Sequence, residues 1–488
     1  MLNSKLIAIL KTFSNEELKR FGEFLNSPFH NKNKKAILLF RLLSEFHPEY
    51  NNKDLTKEKL YSKVFAEAKN NYNDASLRNL LSDLIVLSEK FLAHYTFEKD
   101  RFEFNEKSLR ELIDRKLTVL FDKKLKLAEE SFQSGEFEGE QQYYKKFVVE
   151  ELRSSGSQFA DNLKLYKDES NLKASEYLSY FYLIKIFKLI NFFQFQKQYN
   201  LHNEFAFAEN LLSNLDLEKV MQYMKDNVKN EKDFLILSVY YKMYKTISEP
   251  ADEKFYYEYK KALAENENLF SLLERYGLYV CLNNSGIMKI DLGNEKFFKE
   301  CFEIYITMGE KDLYSAYSGY FPLSAYTGIV NTGLAANEFK KTEEIIYSYS
   351  DKLNPDYKEA ALNHSLAQLN FYLKNYERAL EFINKTDTEF SHFKFHIKIL
   401  LLKIYFEKED YDSLYYTIDS FKHFLGKNKL VGETYKKEFG SFIKILDLIV
   451  KYRSLKDKKI YFNIKQLLEN KAIASRRWLA SKFGELDK

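Results

Sequence analysis

Apolar residues recur at spacings of three and four along most of the 488-residue chain, and no long window alternates between apolar and polar positions. Spacings of three and four place side chains on one face of a helix, whereas alternation is typical of a strand. Within residues 358–422, a helical pattern, a short polar break, an aromatic residue and a second helical pattern occur twice. The pattern predicts an all-α chain built from helical hairpins.

These hairpins recur at a nearly constant distance along the chain. The aromatic residue after the polar break is Tyr376 in one copy and Tyr411 in the next, 35 residues later. Phe339 precedes Tyr376 by 37 residues, Phe297 precedes Phe339 by 42, and Phe137 follows a similar break further upstream. Such a period is typical of arrays in which each hairpin buries its apolar face against its neighbours. We expect a second helix to begin at each of these aromatic residues.

Residues 1–100 have their own helix signals. Ser14 is followed three residues later by Glu17, which is the spacing of a capping box at the start of a helix. A second helical segment runs from Ile37 to Phe46. Thr56 and Asn73 each precede a further segment with helical apolar spacing, and such residues are favoured N-caps. We therefore predict a compact N-terminal module of four helices.

The remaining chain is predicted to form two further regions, a helical-hairpin array over residues 101–440 and capping helices over residues 441–488. The segment from Lys451 to Lys488 contains 11 Lys or Arg against 4 Asp or Glu, although the whole chain has a net charge of only +4. One interpretation is a terminal helix whose polar outer face caps the array, and the other is a phosphate-binding segment. The first interpretation is favoured.

Composition agrees with a helical, globular chain. Only 5 Pro and 15 Gly occur in 488 residues, which favours long uninterrupted helices. Hydrophobic residues make up 45% of the chain and charged residues 30%, so the chain can bury a core and is not a disordered polyelectrolyte. The aromatic share of 17% could indicate nucleobase stacking, but most Phe and Tyr fall at helical spacing and are expected in the core.

Two cysteines, Cys281 and Cys301, in so long a chain indicate a reducing compartment instead of a disulfide framework. The N-terminus lacks the pattern of a secretory signal. The most apolar window, residues 177–195, is interrupted by Lys185 and Lys188 and is too polar for a membrane-spanning helix. The expectation is a cytoplasmic protein without membrane insertion.

The hairpins of residues 323–424 resemble tetratricopeptide repeats. Three copies fall in this range, with Phe339, Tyr376 and Tyr411 as their aromatic landmarks. The resemblance is carried by large and small residues at the family's characteristic positions in the second of these copies, namely Leu366, Ala367, Tyr376, Ala379 and Leu380. Leu402 and Leu414 depart from the pattern in the third copy, because a small residue usually stands there. The resemblance implies a right-handed α-solenoid of antiparallel helix pairs that acts as a non-enzymatic scaffold.

The N-terminal module resembles the opening of an uncharacterised bacterial family of helical-repeat proteins. The matching stretches are Ser27-Pro28-Phe29-His30-Asn31-Lys32-Asn33-Lys34-Lys35, Tyr72-Asn73-Asp74 and Leu77-Arg78-Asn79-Leu80. This resemblance implies helical repeats and no particular activity. Four short helices with a basic loop could also form a DNA-binding helix-turn-helix, for which Arg78 is the one base-reading candidate.

Residues with chemical potential are few. His392 and His396 lie four apart on a predicted helix, with Glu389 three residues earlier, so the three could share a face and bind zinc. No cysteine is near them and the glutamate of a metalloprotease helix is missing, so this pair is more simply explained by chance. No glycine-rich phosphate loop or serine elbow occurs. We expect no enzyme, no metal site and no cofactor.

The resemblance to tetratricopeptide repeats places the first helix of each pair along a groove. Eight polar and aromatic residues are predicted to face it: Asn331, His364, Gln368, Phe371, Tyr372, His396, Lys403 and Phe406. Such a mixture suits a groove for an extended or helical peptide. Several of them could instead pack against the next repeat. We expect a protein or peptide partner, with a nucleic-acid-binding regulator that uses the basic N- and C-terminal helices as the alternative.

Overall fold

The structure is a computed structural model that describes residues 5–51, 55–66, 72–130, 137–157, 169–198, 206–227, 230–316, 319–386, 391–427, 433–469 and 473–487. Within these ranges the regular elements are helices and no strand is present, which confirms the all-α prediction. Consecutive helices pack against each other along much of the chain.

The helices are numbered in chain order. The first eight are α1 (Lys5–Leu10), α2 (Asn15–Asn26), α3 (Lys34–Ser44), α4 (Lys57–Val64), α5 (Asp74–Lys99), α6 (Arg101–Asp114), α7 (Thr118–Glu130) and α8 (Gln141–Ser157). The next eight are α9 (Glu169–Gln198), α10 (Ala206–Ser213), α11 (Leu217–Asn227), α12 (Glu231–Ser248), α13 (Glu253–Asn266), α14 (Leu272–Asp291), α15 (Phe297–Glu310) and α16 (Leu323–Ala335). The last eight are α17 (Phe339–Ser350), α18 (Pro355–Tyr372), α19 (Tyr376–Lys385), α20 (Ser391–Glu407), α21 (Tyr411–Lys427), α22 (Glu433–Leu455), α23 (Lys458–Leu468) and α24 (Arg476–Gly484).

The chain divides into two compact units. The first consists of residues 1–134 and 144–177, and the second of residues 135–143 and 178–488. No helix in the described part of the chain is both long enough and apolar enough to cross a membrane. Cys281 and Cys301 are free thiols, and burial raises the pKa of each to about 12.

The predicted helix starts in the N-terminal module are confirmed. The Ser14 hydroxyl accepts a hydrogen bond of 3.2 Å from the Glu17 amide, and the Glu17 carboxylate accepts one of 2.8 Å from the Ser14 amide, which is a complete capping box. The side chains of Thr56 and Asn73 accept from backbone amides at the first turns of α4 and α5. Helix α1 precedes these four helices and was not predicted.

Helices α1 to α5 enclose one apolar core. Phe21 and Leu25 of α2, Leu39 of α3 and Leu84 of α5 are each fully buried. Aromatic rings fill its centre, where Phe21 meets Phe40 edge to face with ring centroids 4.9 Å apart. Apolar residues at spacings of three and four form one apolar face on each helix, and these faces are removed from water when the helices pack together.

In the second unit, four of the five landmark aromatic residues begin a helix as predicted: Phe297, Phe339, Tyr376 and Tyr411. The prediction for Phe137 was wrong. Its amide donates to the Leu269 carbonyl over 2.7 Å and its carbonyl accepts from the Ser271 amide over 2.9 Å. Phe137 therefore pairs with an extended backbone stretch around Phe270, and the next helix begins only at Gln141.

The turn before each of these four helices has the same hydrogen bond. An amide bonds to the carbonyl five residues earlier, and the residue before that amide has a positive φ, as in a Schellman motif. The bonds join Asn294 to Lys289 (2.9 Å), Glu338 to Gly333 (2.9 Å), Asn375 to Asn370 (2.8 Å) and Asp410 to Tyr405 (3.0 Å). The positive-φ residues are Gly293, Asn337, Lys374 and Glu409. The four hairpins thus share the backbone conformation of their turn as well as their sequence pattern.

Candidate functional site

A cavity of about 740 Å³ lies in the second unit between the first helices of three successive pairs and helix α24. Its walls are formed by side chains spaced three or four residues apart on α16, α18 and α20, with Phe298 of α15 contributing as well. The main contributors are Thr327 and Asn331 from α16, His364, Gln368 and Phe371 from α18, and His396, Leu400, Lys403 and Glu407 from α20. Helices α16, α18 and α20 therefore each turn one face towards the same space.

Seven of the eight residues predicted to face a groove line this cavity: Asn331, His364, Gln368, Phe371, Tyr372, His396 and Lys403. The eighth, Phe406, does not. Its side chain is 1% exposed, and its ring packs in the core with the Trp478 ring 5.3 Å away. On α20 the lining position one turn after Lys403 belongs to Glu407, so the helical spacing moves Phe406 to the adjacent, buried face.

Helix α24 also lines the cavity, a position that the sequence did not indicate. Arg477 makes a double hydrogen-bonded ion pair with Glu295, at 2.8 Å and 3.0 Å, and its guanidinium lies over the ring of Phe298. Trp478 and Lys482 contribute to the wall one and five residues later. The C-terminal segment therefore contacts residues more than 180 positions earlier in the chain.

Glu407 connects α20 to α24. Its carboxylate accepts a hydrogen bond of 3.0 Å from the Trp478 indole and lies 2.9 Å from the Lys482 ammonium. Lys482 also pairs with Glu485 at 2.8 Å. Burial alone would lower the pKa of Lys482, but its hydrogen bonds to these two carboxylates outweigh burial and raise it. Because Lys482 and Glu407 are only 13% and 18% exposed, this pair is screened less than a surface ion pair.

Lys403 also lines the cavity and is held differently from Lys482. Its ammonium nitrogen lies 5.9 Å from the centre of the Phe371 ring and 5.7 Å from that of Trp478. Within the described part of the chain, no hydrogen bond or ion pair is made by this ammonium. Burial lowers the pKa of Lys403 to about 8, although the nearby Glu407 carboxylate opposes the shift. The cavity thus contains an amine with aromatic neighbours and no bonded counter-ion.

Polar and aromatic side chains of α16 and α18 also line the cavity. The Gln368 amide donates to the Asn331 side-chain oxygen over 3.2 Å and so links α18 to α16. Tyr372 is 42% exposed, and Lys374 follows it in the turn with an exposed side chain. Burial raises the pKa of Tyr372, and the neighbouring Arg477 partly opposes this change. The accessible surface therefore offers aromatic faces beside hydrogen-bonding groups.

The histidine pair weighed as a zinc site lies at the edge of what the structure describes. His396 lines the cavity, whereas Glu389 and the side chain of His392 lie outside the described residues. Among the side chains that are described, no group of three or more His, Cys, Asp or Glu is arranged to hold a metal ion.

Sequence reasoning missed Arg477, Trp478, Lys482 and Glu407. Glu407 could have been found, because it continues the spacing of His396, Leu400 and Lys403 on α20. The residues of α24 gave only an indirect signal, the chain's single Trp beside two Arg in a short helix.

No family model matches the chain, and neither a curated protein nor a solved structure shows significant similarity to it.

Proposed function

We propose that this protein is a non-enzymatic scaffold that binds an extended segment of a partner protein in the cavity between α16, α18, α20 and α24. Its hairpins would form a right-handed array of antiparallel pairs similar to tetratricopeptide repeats. The proposal is supported by the repeated turn geometry and by the side chains that α16, α18 and α20 present to one space. Binding would rest on a largely pre-formed surface, which limits the entropy lost on association.

The observation that carries the proposal is the combination of Lys403 with aromatic side chains. The half-buried Lys403 ammonium has no bonded counter-ion among the described residues, and the exposed side chain of Lys374 lines the same cavity. An acidic side chain would supply the missing counter-ion in a partly desolvated site, where charge-assisted hydrogen bonds are strong. Phe371, Tyr372 and Trp478 would bind apolar residues beside it. The proposed ligand is therefore an extended peptide with an acidic residue next to apolar ones.

The ion pairs made by the basic C-terminal segment favour peptide binding over nucleic-acid binding. Several of its cations already pair with carboxylates of the same unit: Lys451 with Asp447, Arg453 with Glu409, Arg477 with Glu295 and Lys482 with Glu407. A phosphate backbone would have to compete with these carboxylates. The expectation of a cytoplasmic protein rests on the two free cysteines and remains a proposal.

Selection of peptides from a random displayed library, followed by fluorescence anisotropy on the selected sequences, tests the function. We expect acidic peptides with neighbouring apolar residues. Phe371→Ala and Tyr372→Ala should each weaken binding by about 1–3 kcal/mol, as aromatic anchors do. Tyr416→Ala is the matched control, because Tyr416 is 79% exposed and lies outside the cavity.

Salt dependence and thermal stability complete the test. A peptide contact through one or two cations should weaken modestly with salt, whereas a nucleic acid that contacts 6–10 phosphates would lose about 10³–10⁵ in affinity between 50 and 200 mM salt. Selection of peptides without acidic residues, or submicromolar and steeply salt-dependent binding of DNA or RNA, would contradict the proposal. A large fall in melting temperature for Phe371→Ala would instead assign that ring to the core.

A further inference from the structure

Three lysines of the second unit show how differently a partly or fully buried amine can be held. Lys289 is 2% exposed, and its ammonium donates to the carbonyls of Pro250 and Asp252 over 2.7 Å and 2.8 Å. Lys398 donates to the Ser420 hydroxyl over 3.1 Å and lies outside the cavity. Lys403 lies beside the ring faces of Phe371 and Trp478, with the Glu407 carboxylate nearby, and its side chain lines an open cavity.

The state of the Lys403 amine follows from these surroundings. Burial lowers its pKa to about 8, so about a quarter of the molecules carry the neutral amine at pH 7.5, against about one in a thousand for an ordinary lysine. The ring faces and Glu407 favour the ammonium, yet no hydrogen-bond acceptor among the described residues holds its protons in place. A lysine desolvated in an apolar pocket is a recognised way of obtaining a nucleophilic amine.

We propose that Lys403 is a nucleophilic amine that captures aldehydes reversibly as an imine, and that the aldehydes it selects are aromatic and carry an anionic group. The aromatic ring would stack against Phe371 or Trp478. The anionic group would reach Lys374, whose exposed side chain lines the same cavity. A volume of about 740 Å³ is ample for such a molecule. This inference is independent of peptide binding, because it requires only the amine and access to it.

The reaction balances without a further reagent. The lone pair of the Lys403 nitrogen adds to the carbonyl carbon, and the carbonyl π pair moves to oxygen. Both hydrogens of the amine leave with that oxygen as one water molecule, and a carbon–nitrogen double bond replaces the carbon–oxygen double bond. The reverse reaction, hydrolysis, releases the aldehyde unchanged, so binding is covalent and reversible.

Borohydride trapping tests the proposal. The full-length protein is incubated at pH 7.5 with a substoichiometric amount of pyridoxal 5′-phosphate, an aromatic aldehyde with a phosphate group, then reduced and mapped by peptide mass spectrometry. Lys403 should carry the reduced adduct about tenfold or more above Lys341, an exposed lysine outside the cavity, because the neutral fraction of Lys403 exceeds that of an ordinary lysine by about two orders of magnitude and its lower basicity offsets part of this gain. Pyridoxal, which lacks the phosphate, should label Lys403 more slowly. Labelling spread evenly over the lysines, or absent from Lys403, overturns the proposal.

Two variants separate this inference from the proposed function. Lys403→Arg keeps a cation for an acidic peptide but has no amine that forms an imine, so it should retain peptide binding and lose the trapped adduct. Lys403→Met should lose both, and Lys398→Met should keep both. Because the labelling ratio is measured in the unaltered protein, it decides the question even if a variant fails to fold. A trapped adduct at Lys403 without any peptide binding would leave this inference standing and overturn only the proposed function.

Discussion

The N-terminal helices α1–α5 and the interior of the second unit follow the same apolar spacing but bury different kinds of side chain. Among the described residues of α1–α5 and their loops, the buried polar side chains are Asn31 and Ser88, and both donate to backbone carbonyls. The second unit buries Glu140, Asp233 and Lys289 to 7% exposure or less. The first region is an apolar core, and the second also contains buried charged groups.

This difference shows what each kind of pattern can reveal. Apolar spacing identifies the helix face that is removed from water, and in α1–α5 it identifies nearly the whole core. In the second unit, polar residues such as Asn331 and Lys403 occur among the apolar positions of the same helix faces. Burying a polar group without a partner is costly, so these residues indicate the part of each face that lines the cavity instead of packing against another helix.

The largest expected effect comes from breaking the apolar core. Phe21→Ala removes a fully buried ring that contacts Phe13, Phe40 and Phe91, and should destabilise α1–α5 by about 3–5 kcal/mol. Hydrogen exchange of peptides from α2, α3 and α5 should accelerate accordingly. Phe29→Ala is the control, since Phe29 is 90% exposed and its loss should change stability by less than about 0.5 kcal/mol.

A similar loss from Phe29→Ala would mean that the exposed ring has a structural role. A loss below about 1 kcal/mol from Phe21→Ala would mean that the core repacks around the missing ring. The second result would contradict a core held by close packing of aromatic rings.

The next effect concerns acid, which should weaken the second unit. Burial alone would raise the pKa of Glu140, but Lys188 at 2.8 Å and Lys185 at 2.9 Å outweigh it and lower the pKa to about 2. A carboxyl whose pKa is lowered on folding stabilises the protein above its ordinary value of 4.5, and this contribution is lost as the pH falls towards 2. About 3 kcal/mol of stability is therefore expected to disappear between pH 5 and pH 2.

Glu140→Gln tests this assignment. The variant should be less stable than the unaltered protein at pH 7 by a similar amount, and its stability should depend less on pH between 5 and 2. The fluorescence of Trp478, the single tryptophan, reports unfolding of the second unit. Glu377→Gln, at a carboxylate whose side chain is 77% exposed, serves as the control. An unchanged pH profile in Glu140→Gln would assign the acid sensitivity to other groups.

The sequence predicted most of what is local. Ser14, Thr56 and Asn73 cap helices as expected, and Phe339 and Tyr376 begin them, because capping and apolar spacing act over a few residues. The stripe of side chains on three helices was predicted from the resemblance to tetratricopeptide repeats, by counting back from the landmark aromatic residues. These features need no knowledge of distant parts of the chain.

What the sequence did not predict depends on distant parts of the chain. Phe137 follows a polar break like the other landmarks, yet its backbone pairs with the stretch around Phe270, more than 130 residues later. Helix α24 contributes Trp478 to a cavity whose other walls are formed far upstream. Neither Arg477 nor Glu295 carries a local signal of the ion pair that joins them. The prediction for α20 was also wrong by one residue, since Phe406 was expected in the cavity and Glu407 lines it. Residues three and four positions after Lys403 lie on nearly the same side of the helix, so the spacing does not distinguish them.

The smallest expected effect concerns the turns between the hairpin helices of the second unit, where the backbone is most regular. Asn337, Lys374 and Glu409 occupy the left-handed region with φ of 61°, 62° and 58°, and Gly293 takes the equivalent place in the first of the four turns. A residue with a Cβ atom pays about 1–2 kcal/mol in this conformation, whereas glycine does not.

Glu409→Gly should therefore stabilise the second unit by about 0.5–1 kcal/mol, since the relief of backbone strain exceeds the greater chain entropy that glycine adds to the unfolded state. The ion pair that Glu409 makes with Arg453 is long, at 3.7 Å, and its carboxylate is 71% exposed, so its loss costs little. Urea unfolding followed by Trp478 fluorescence measures the change. Asn337→Gly should gain less, because asparagine tolerates this conformation better than glutamate. A lower urea midpoint for Glu409→Gly would show that the contact with Arg453 contributes more than the strain it accompanies.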